Sequence, residues 1–399
     1  MNSSLTNLTA TQGKSKLPLA SLLALAAAGF LTAMLETLPA GILPMLSADL
    51  GVSEAAAGQT ITVYAIGSIA GAIPIISATM GWPRKRVLVL ALSGFVITSL
   101  LVAVSPFYVF TLVVRFLTGI SAGVLWGSLA AYAGRLVTAE QRGRGVTIAM
   151  AGTPIALALG TPAGVICANA IGWRLTFVLM AVLSAAVLAW VLAIVPNFPG
   201  QEKALRTSAL KTFALPGMAP IIITSVLYIT AHILIYTYVA AFLAPLGMSS
   251  SVGVALLVFG LAALVGLWVT GLMIDRHLRR LMIGSVLLFA LSMLVLATLS
   301  QTPVLVFVAV AAWGIAFGGS GSIQQTALTN AAGSAVDTAQ AVLVTGWNLG
   351  IAAGGVLGGL TLSSGGPSAL PWATLALLLP VFIVVFAARR HAFPASSIK

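Results

Sequence analysis

The chain has 399 residues, of which 60% are hydrophobic and only 7% are charged. A water-soluble domain carries about 25% charged residues, so this chain lacks the polar surface to cover a soluble globule and reads as an integral membrane protein. Its formal charge of +12 could suggest a nucleic-acid partner, but the placement of that charge argues otherwise.

A transmembrane helix needs about 20 mostly apolar residues. Twelve such spans are predicted, at 18–43, 55–80, 87–105, 107–135, 145–170, 174–196, 218–243, 251–274, 280–300, 303–329, 336–363 and 369–388. The longest break, 197–217, reads as a central loop between two six-helix bundles, 18–196 and 218–388, flanked by tails 1–17 and 389–399. The polar first 16 residues and the long apolar run after them do not resemble a signal peptide, so the first span is expected to stay in the mature chain. With the N-terminus in the cytoplasm, 17 of the 19 Lys and Arg residues fall on the cytoplasmic side, Arg174 falls outside and Arg115 lies within a span. Cytoplasmic loops collect such residues, so both termini are expected there. The basic excess is then a topology signal that favours anionic lipid, not nucleic acid. The lone cysteine, Cys167, excludes an intrachain disulfide and a cysteine metal cluster.

The first span carries Glu36, the one acid of seven predicted to lie well inside a span, about 10 Å from the span's outer end. An ionised carboxylate there costs several kcal/mol. Glu36 therefore reads either as a group that loads and releases a proton or as a permanently protonated acid bonded to a carbonyl. Pro39 cannot donate to the helix, frees a backbone carbonyl and permits a bend. Span 4 holds Arg115, which keeps its charge and needs a carboxylate, carbonyls or water; it can tune Glu36 or simply tie helices together. In span 7, His232, with an unperturbed pKa near about 6.5, can relay protons, bond a substrate, or bond a Ser or Thr. Candidate substrate contacts are Tyr64, Trp126, Tyr236, Tyr238, Gln324, Gln325 and Asn348, with Trp347 beside the last. They would suit a neutral, hydroxylated or amphipathic ligand, although Tyr64 and Trp126 could equally face lipid.

The halves repeat at an offset near 195. Arg84 matches Arg279, Gly119 and Gly123 match Gly314 and Gly318, and Gly160 and Gly164 match Gly355 and Gly359. Leu50-Gly-Val-Ser53 matches Leu246-Gly-Met-Ser249 at an offset of 196, which also pairs Glu36 with His232. Duplicated bundles place a transporter's site at their interface.

In the second half, Gly271, Asp275, Arg276, Arg279 and Arg280 spell G-x-x-x-D-R-x-x-R-R. In the first half Arg84 and Arg86 keep the basic cluster, while Met80 and Ile76 replace the aspartate and the leading glycine. With Arg115-x-x-x-Gly119, the Gly160-Thr-Pro162-Ala-Gly164 run and the acidic motif at Glu36, the chain resembles the major facilitator superfamily over about 17–390. Within it, the chain looks like the twelve-span drug/proton antiporters of the bacterial sugar-efflux and chloramphenicol-resistance branch. The resemblance implies an all-α fold of two pseudo-symmetric six-helix bundles in the inner membrane, working as a monomer. It implies export of a small organic molecule in exchange for protons by alternating access. The loop-motif residues would act as a conformational switch, and Pro39, Gly160, Pro162 and Gly164 as bend and antiporter elements. No cofactor or metal is expected. No HExxH, Ser/His/Asp grouping or P-loop points to an enzyme. An importer or uniporter remains the alternative, and a non-transporting membrane sensor the reading from another class.

Overall fold

The computed structural model describes residues 17–75, 78–79, 81–138, 141–200, 214–332, 336–389 and 392–393. Met80, Ile76, most of the central loop and nearly all of both tails lie outside the described residues.

Among the described residues eleven helices are long and apolar enough to cross a membrane. They are span 1 (Leu19–Gly41), span 3 (Arg84–Ala103), span 4 (Tyr108–Arg135), span 5 (Arg144–Ile171), span 6 (Trp173–Ile194) and span 7 (Met218–Thr237). Span 8 (Ser249–Ile274), span 9 (Arg276–Leu299), span 10 (Pro303–Ala332), span 11 (Ala339–Gly365) and span 12 (Ala369–Ala387) follow. Span 2 is the regular helix Glu54–Ala70, only 17 residues long, which runs on through a π-turn, Gly71–Ile75, around Pro74. Proline withholds a helical donor, and a single π-turn absorbs the misfit. The same device recurs in span 5, where the π-turn Ala156–Gly160 leads into Thr161–Ile171 with Pro162 in its first turn.

Three boundaries differ from the sequence reading. Span 1 ends at Gly41 rather than Leu43: after a single non-helical residue, Ile42 (φ −115°, ψ 17°), a second helix runs Leu43–Leu50 with Pro44 in its first turn. Glu36 therefore lies five residues before the end of span 1 at Gly41, and the separate helix Leu43–Leu50 continues the chain toward the exposed Asp49. Spans 8 and 9 are two helices that meet at a kink at His277 (φ −132°, ψ 29°), which stands where a longer connecting loop was expected. Span 10 breaks between Gly318 and Ser320, at Gly319.

The duplication appears in backbone and packing. Gly51 (φ 64°) and Gly247 (φ 72°) both end a helical segment in left-handed conformation, 196 residues apart, and Gly172 (φ 86°) and Gly366 (φ 72°) each follow a helix with positive φ, 194 residues apart. Only glycine adopts this backbone without strain. These four turns lie at one end of the molecule, the glycine-turn end; Arg84, Arg135, Arg276, Arg279 and Arg280 lie at the other, the basic end. A methyl group on Gly119 would collide with the Tyr64 carbonyl, and one on Gly314 with that of Phe259; Gly123 meets Ser68 and Gly318 meets Ala263 in the same way. Each partner is again displaced by 195, so spans 2 and 4 cross as spans 8 and 10 do. The matched pair Gly160 and Gly355 diverges: Gly160 faces Phe30 and Met34 of its own bundle, whereas Gly355 faces Thr62 of the other.

Between bundles, span 2 lies on span 11, span 5 on span 8, and span 1 on span 7. Exposed apolar side chains such as Leu90, Ile97, Val109, Trp268, Leu360 and Leu379 form the outer surface, as a lipid-facing wall requires.

Candidate functional site

Pro39 has no N–H, so the carbonyl four residues back, Leu35, loses its helical donor. Arg115 fills the vacancy: its Nη1 donates to Leu35 O at 2.6 Å and its Nε to Thr60 O at 3.3 Å. The guanidinium lies over the Tyr64 ring, 4.6 Å from the centroid, and the Tyr64 hydroxyl donates to Thr32 O at 3.1 Å. Spans 2 and 4 thus grip span 1 at two carbonyls, one turn before Glu36 and immediately before it. Arg115 is 1% exposed, and its Nη2 has no hydrogen-bond partner.

Glu36 itself is partly buried, and its carboxylate makes no hydrogen bond or ion pair with a described residue. Arg115, Tyr64 and Tyr236 are close enough to act on it electrostatically. Arg115 therefore combines both sequence readings: it ties helices through carbonyls and remains the nearest opposite charge, without a salt bridge. Next along span 1, the Thr37 hydroxyl lies 2.6 Å from that of Thr161. Thr161 follows the π-turn of span 5 directly, between Gly160 and Pro162. The Tyr236 hydroxyl of span 7 faces this pair from the other bundle without closing a regular hydrogen bond. Sequence reasoning missed Thr37 and Thr161; their adjacency to Glu36 and Pro162 was the available signal.

His232 is 3% exposed and sits among aromatic rings. Its imidazole stacks on Phe317, centroids 3.6 Å apart, with Phe259, Trp313 and Tyr236 within 5.6 Å. Its Nδ1 has no partner, so the expected Ser or Thr bond is not made there. Among the described residues no carboxylate or second histidine stands against His232; its neighbours are aromatic rings, the Tyr236 phenol among them. Phe259 stands 195 residues after Tyr64, so each half sets one aromatic ring beside its titratable group.

The remaining candidates separate. Tyr238 is fully buried at the bundle interface, where its hydroxyl donates to Gly355 O at 2.9 Å and to Ala55 O at 3.3 Å. Gln59, unremarked in the sequence, joins it: its Nε2 reaches Gly355 O at 3.2 Å and Tyr238 Oη at 3.4 Å. Gln324 is buried, accepts from Trp347 Nε1 at 2.9 Å and leaves its own Nε2 unpartnered. Asn348 is buried and donates to Val344 O within its own helix. Gln325 is exposed in the second half of span 10. Trp126 is half-buried beside Gly29 of span 1, so it does not point wholly at lipid. Gly160 and Gly164 pack against Met34 and Leu38 of span 1, bringing span 5 alongside the Glu36 turn.

At the basic end, Arg279 donates to the carbonyls of Val385, Phe386 and Phe393, and Lys85 Nζ donates to Leu192 O at 2.8 Å. Both basic motifs thus hold the last turn of the sixth helix of their own bundle. Arg84 N–H donates to Phe198 O, Arg86 lies over Trp82, and Arg276 and Arg280 are exposed. Gly271 has open space around it, and the Asp275 side chain lies outside what is described. At the glycine-turn end, Arg174 pairs with Asp49 at 2.9 Å.

The Major Facilitator Superfamily profile matches residues 25–335 and again 221–398. The chain is 27% identical over 352 residues to a chloramphenicol efflux pump of Mycobacterium tuberculosis, covering 84% of each. It is 26% identical over 380 residues to a probable sugar efflux transporter of Haemophilus influenzae, covering 93% of this chain and 95% of that one. It is also 29% identical over 378 residues to the transcription regulatory protein OpdE of Pseudomonas aeruginosa, covering 93% and 94%. Among solved structures, a bacterial homologue of the human lysosomal transporter Spinster superposes with TM-score 0.80 at 16% identity, covering 96% of this chain and 99% of that one. The chain belongs to the major facilitator superfamily, as a multi-pass membrane transporter and not an enzyme.

Proposed function

We propose that this protein exports a small neutral or amphipathic organic molecule in exchange for protons. Both termini would lie in the cytoplasm of a bacterial cell and the glycine-turn end outside. The observation that carries this reading is Glu36: a partly accessible, unpaired carboxylate within span 1, beside a buried Arg115 already occupied by carbonyls. A carboxylate without a fixed partner is free to bind a proton in one state and lose it in another. Alternating access then makes proton and substrate exchange obligatory, because each favours a different state. The efflux names of two relatives support the direction of transport and leave the substrate open.

The test uses purified protein in vesicles with an imposed pH gradient. Glu36→Gln is expected to abolish gradient-driven uptake of a probe such as chloramphenicol while retaining exchange of preloaded probe. Gradient-driven transport that survives this substitution would remove Glu36 from the mechanism. The name of the OpdE relative favours a second reading, a membrane sensor; absence of transport for every compound in a broad growth-inhibition panel would support it.

A further inference from the structure

The polar contacts of Tyr238 reach across the bundles, from span 7 to span 2. Its hydroxyl meets Ala55 O of span 2 and Gly355 O of span 11, and Gln59 of span 2 binds both Tyr238 and Gly355. Three glycines abut Tyr238: a methyl group on Gly58, Gly358 or Gly359 would run into its ring or hydroxyl. Just below, toward the middle of the membrane, Gly355 rests on Thr62, which is buried. Tyr238 also occupies a break in its helix. Its φ of −107° and ψ of 19° interrupt Met218–Thr237 before Val239–Leu243, as Ile42 interrupts span 1 at the matching position. Two residues earlier, Tyr236 faces the Thr37–Thr161 pair next to Glu36.

We propose that Tyr238 is the pin of a gate that closes the glycine-turn end, seated in a glycine socket and mounted on the break in span 7, rather than a substrate contact. A helix break is where a terminal segment can swing, and an aromatic pin against bare backbone seals without leaving polar groups in hydrocarbon. The polar side chain of Gln325, exposed in the half of span 10 nearer the basic end, is consistent with water entering from that side while this gate is shut. The proposal concerns which end is closed and by what; it stands whether or not Glu36 couples protons.

Single-cysteine labelling in whole cells tests it. In a Cys167→Ser background, Thr62→Cys reports the space beneath the gate, and Ser364→Cys, exposed at the glycine-turn end, reports which side that end faces. A membrane-impermeant maleimide is applied from the side that labels Ser364→Cys, using inverted vesicles if needed. Tyr238→Phe keeps the ring and removes the hydroxyl, worth about 1 kcal/mol, so labelling of Thr62→Cys should rise about fivefold. Gly58→Ala, which crowds the ring, should raise it similarly, and Gly284→Ala, which adds a methyl into open space, should not. Unchanged labelling in folded Tyr238→Phe and Gly58→Ala protein overturns the gate. A labelling response that persists in Glu36→Gln, with or without pH-driven transport, upholds the gate on its own.

Discussion

Pro39 removes one backbone donor, and Arg115 spends one donor to replace it; this exchange couples two residues 76 positions apart in the chain. Arg115→Met would leave the Leu35 carbonyl, which Pro39 denies a helical partner, without any donor, at about 1–3 kcal/mol, whereas the Thr60 carbonyl keeps the N–H of its own helix. Restoring the helical N–H with Pro39→Ala should recover part of that loss. Thermal unfolding in detergent should therefore give a favourable coupling of about 1 kcal/mol in the double-mutant cycle; additive effects would break the argument. Arg115→Lys should resemble Arg115→Met more than wild type, because a lysine cannot present the planar fork that reaches both carbonyls. For His232, replacement by Phe conserves ring shape and should cost under about 1.5 kcal/mol of stability. Any larger effect on transport then reports the imidazole nitrogens. The presence of Glu36, Pro39 and Arg115 was legible in the sequence because each breaks a rule of apolar helices. Their geometry was not, since nothing in a linear pattern says which carbonyl a guanidinium will find.

At the scale of helices, the repeat governs packing. Gly119→Ala and Gly314→Ala should each destabilise by about 1–3 kcal/mol through overpacking, because each would press on the matching backbone carbonyl of a neighbouring span. Circular dichroism melts of the two variants should agree within error, and Gly284→Ala serves as a neutral reference. Equal losses would support the duplication as a physical symmetry; a large loss in only one would confine it to sequence. Helix count and approximate position followed from hydrophobic runs alone. The π-turns at Gly71–Ile75 and Ala156–Gly160 and the breaks at Ile42, Tyr238 and His277 did not. Proline marks some of these sites, but how a helix absorbs the misfit depends on the neighbour packed against it. The break at Ile42 shows the consequence, ending span 1 at Gly41 and starting a separate helix, Leu43–Leu50.

For the whole molecule, three contacts join the bundles: the symmetry-matched span 2 against span 11 and span 5 against span 8, with span 1 against span 7 between them. Rocking about these contacts is the motion the architecture permits. With the glycine-turn end closed, Gln325→Cys should react with a maleimide supplied from the basic end, whereas Thr62→Cys should stay protected from both sides. Strong labelling of Thr62→Cys in the wild-type background would mean that the dominant state in the membrane differs from this one. Composition alone made this a membrane protein, because too few charges exist to clothe a soluble surface. Hydrophobic length supplied the helices, and the recurring glycines and basic clusters supplied the family and the duplication. Tertiary structure decided what each polar residue meets. Tyr238 changed from an expected substrate contact to a proposed gate pin, Gln59 emerged beside it, and Thr37 met Thr161. In an apolar chain hydrophobic burial sets which segments are helices, while the few polar groups find partners only when distant helices have been brought within hydrogen-bond reach.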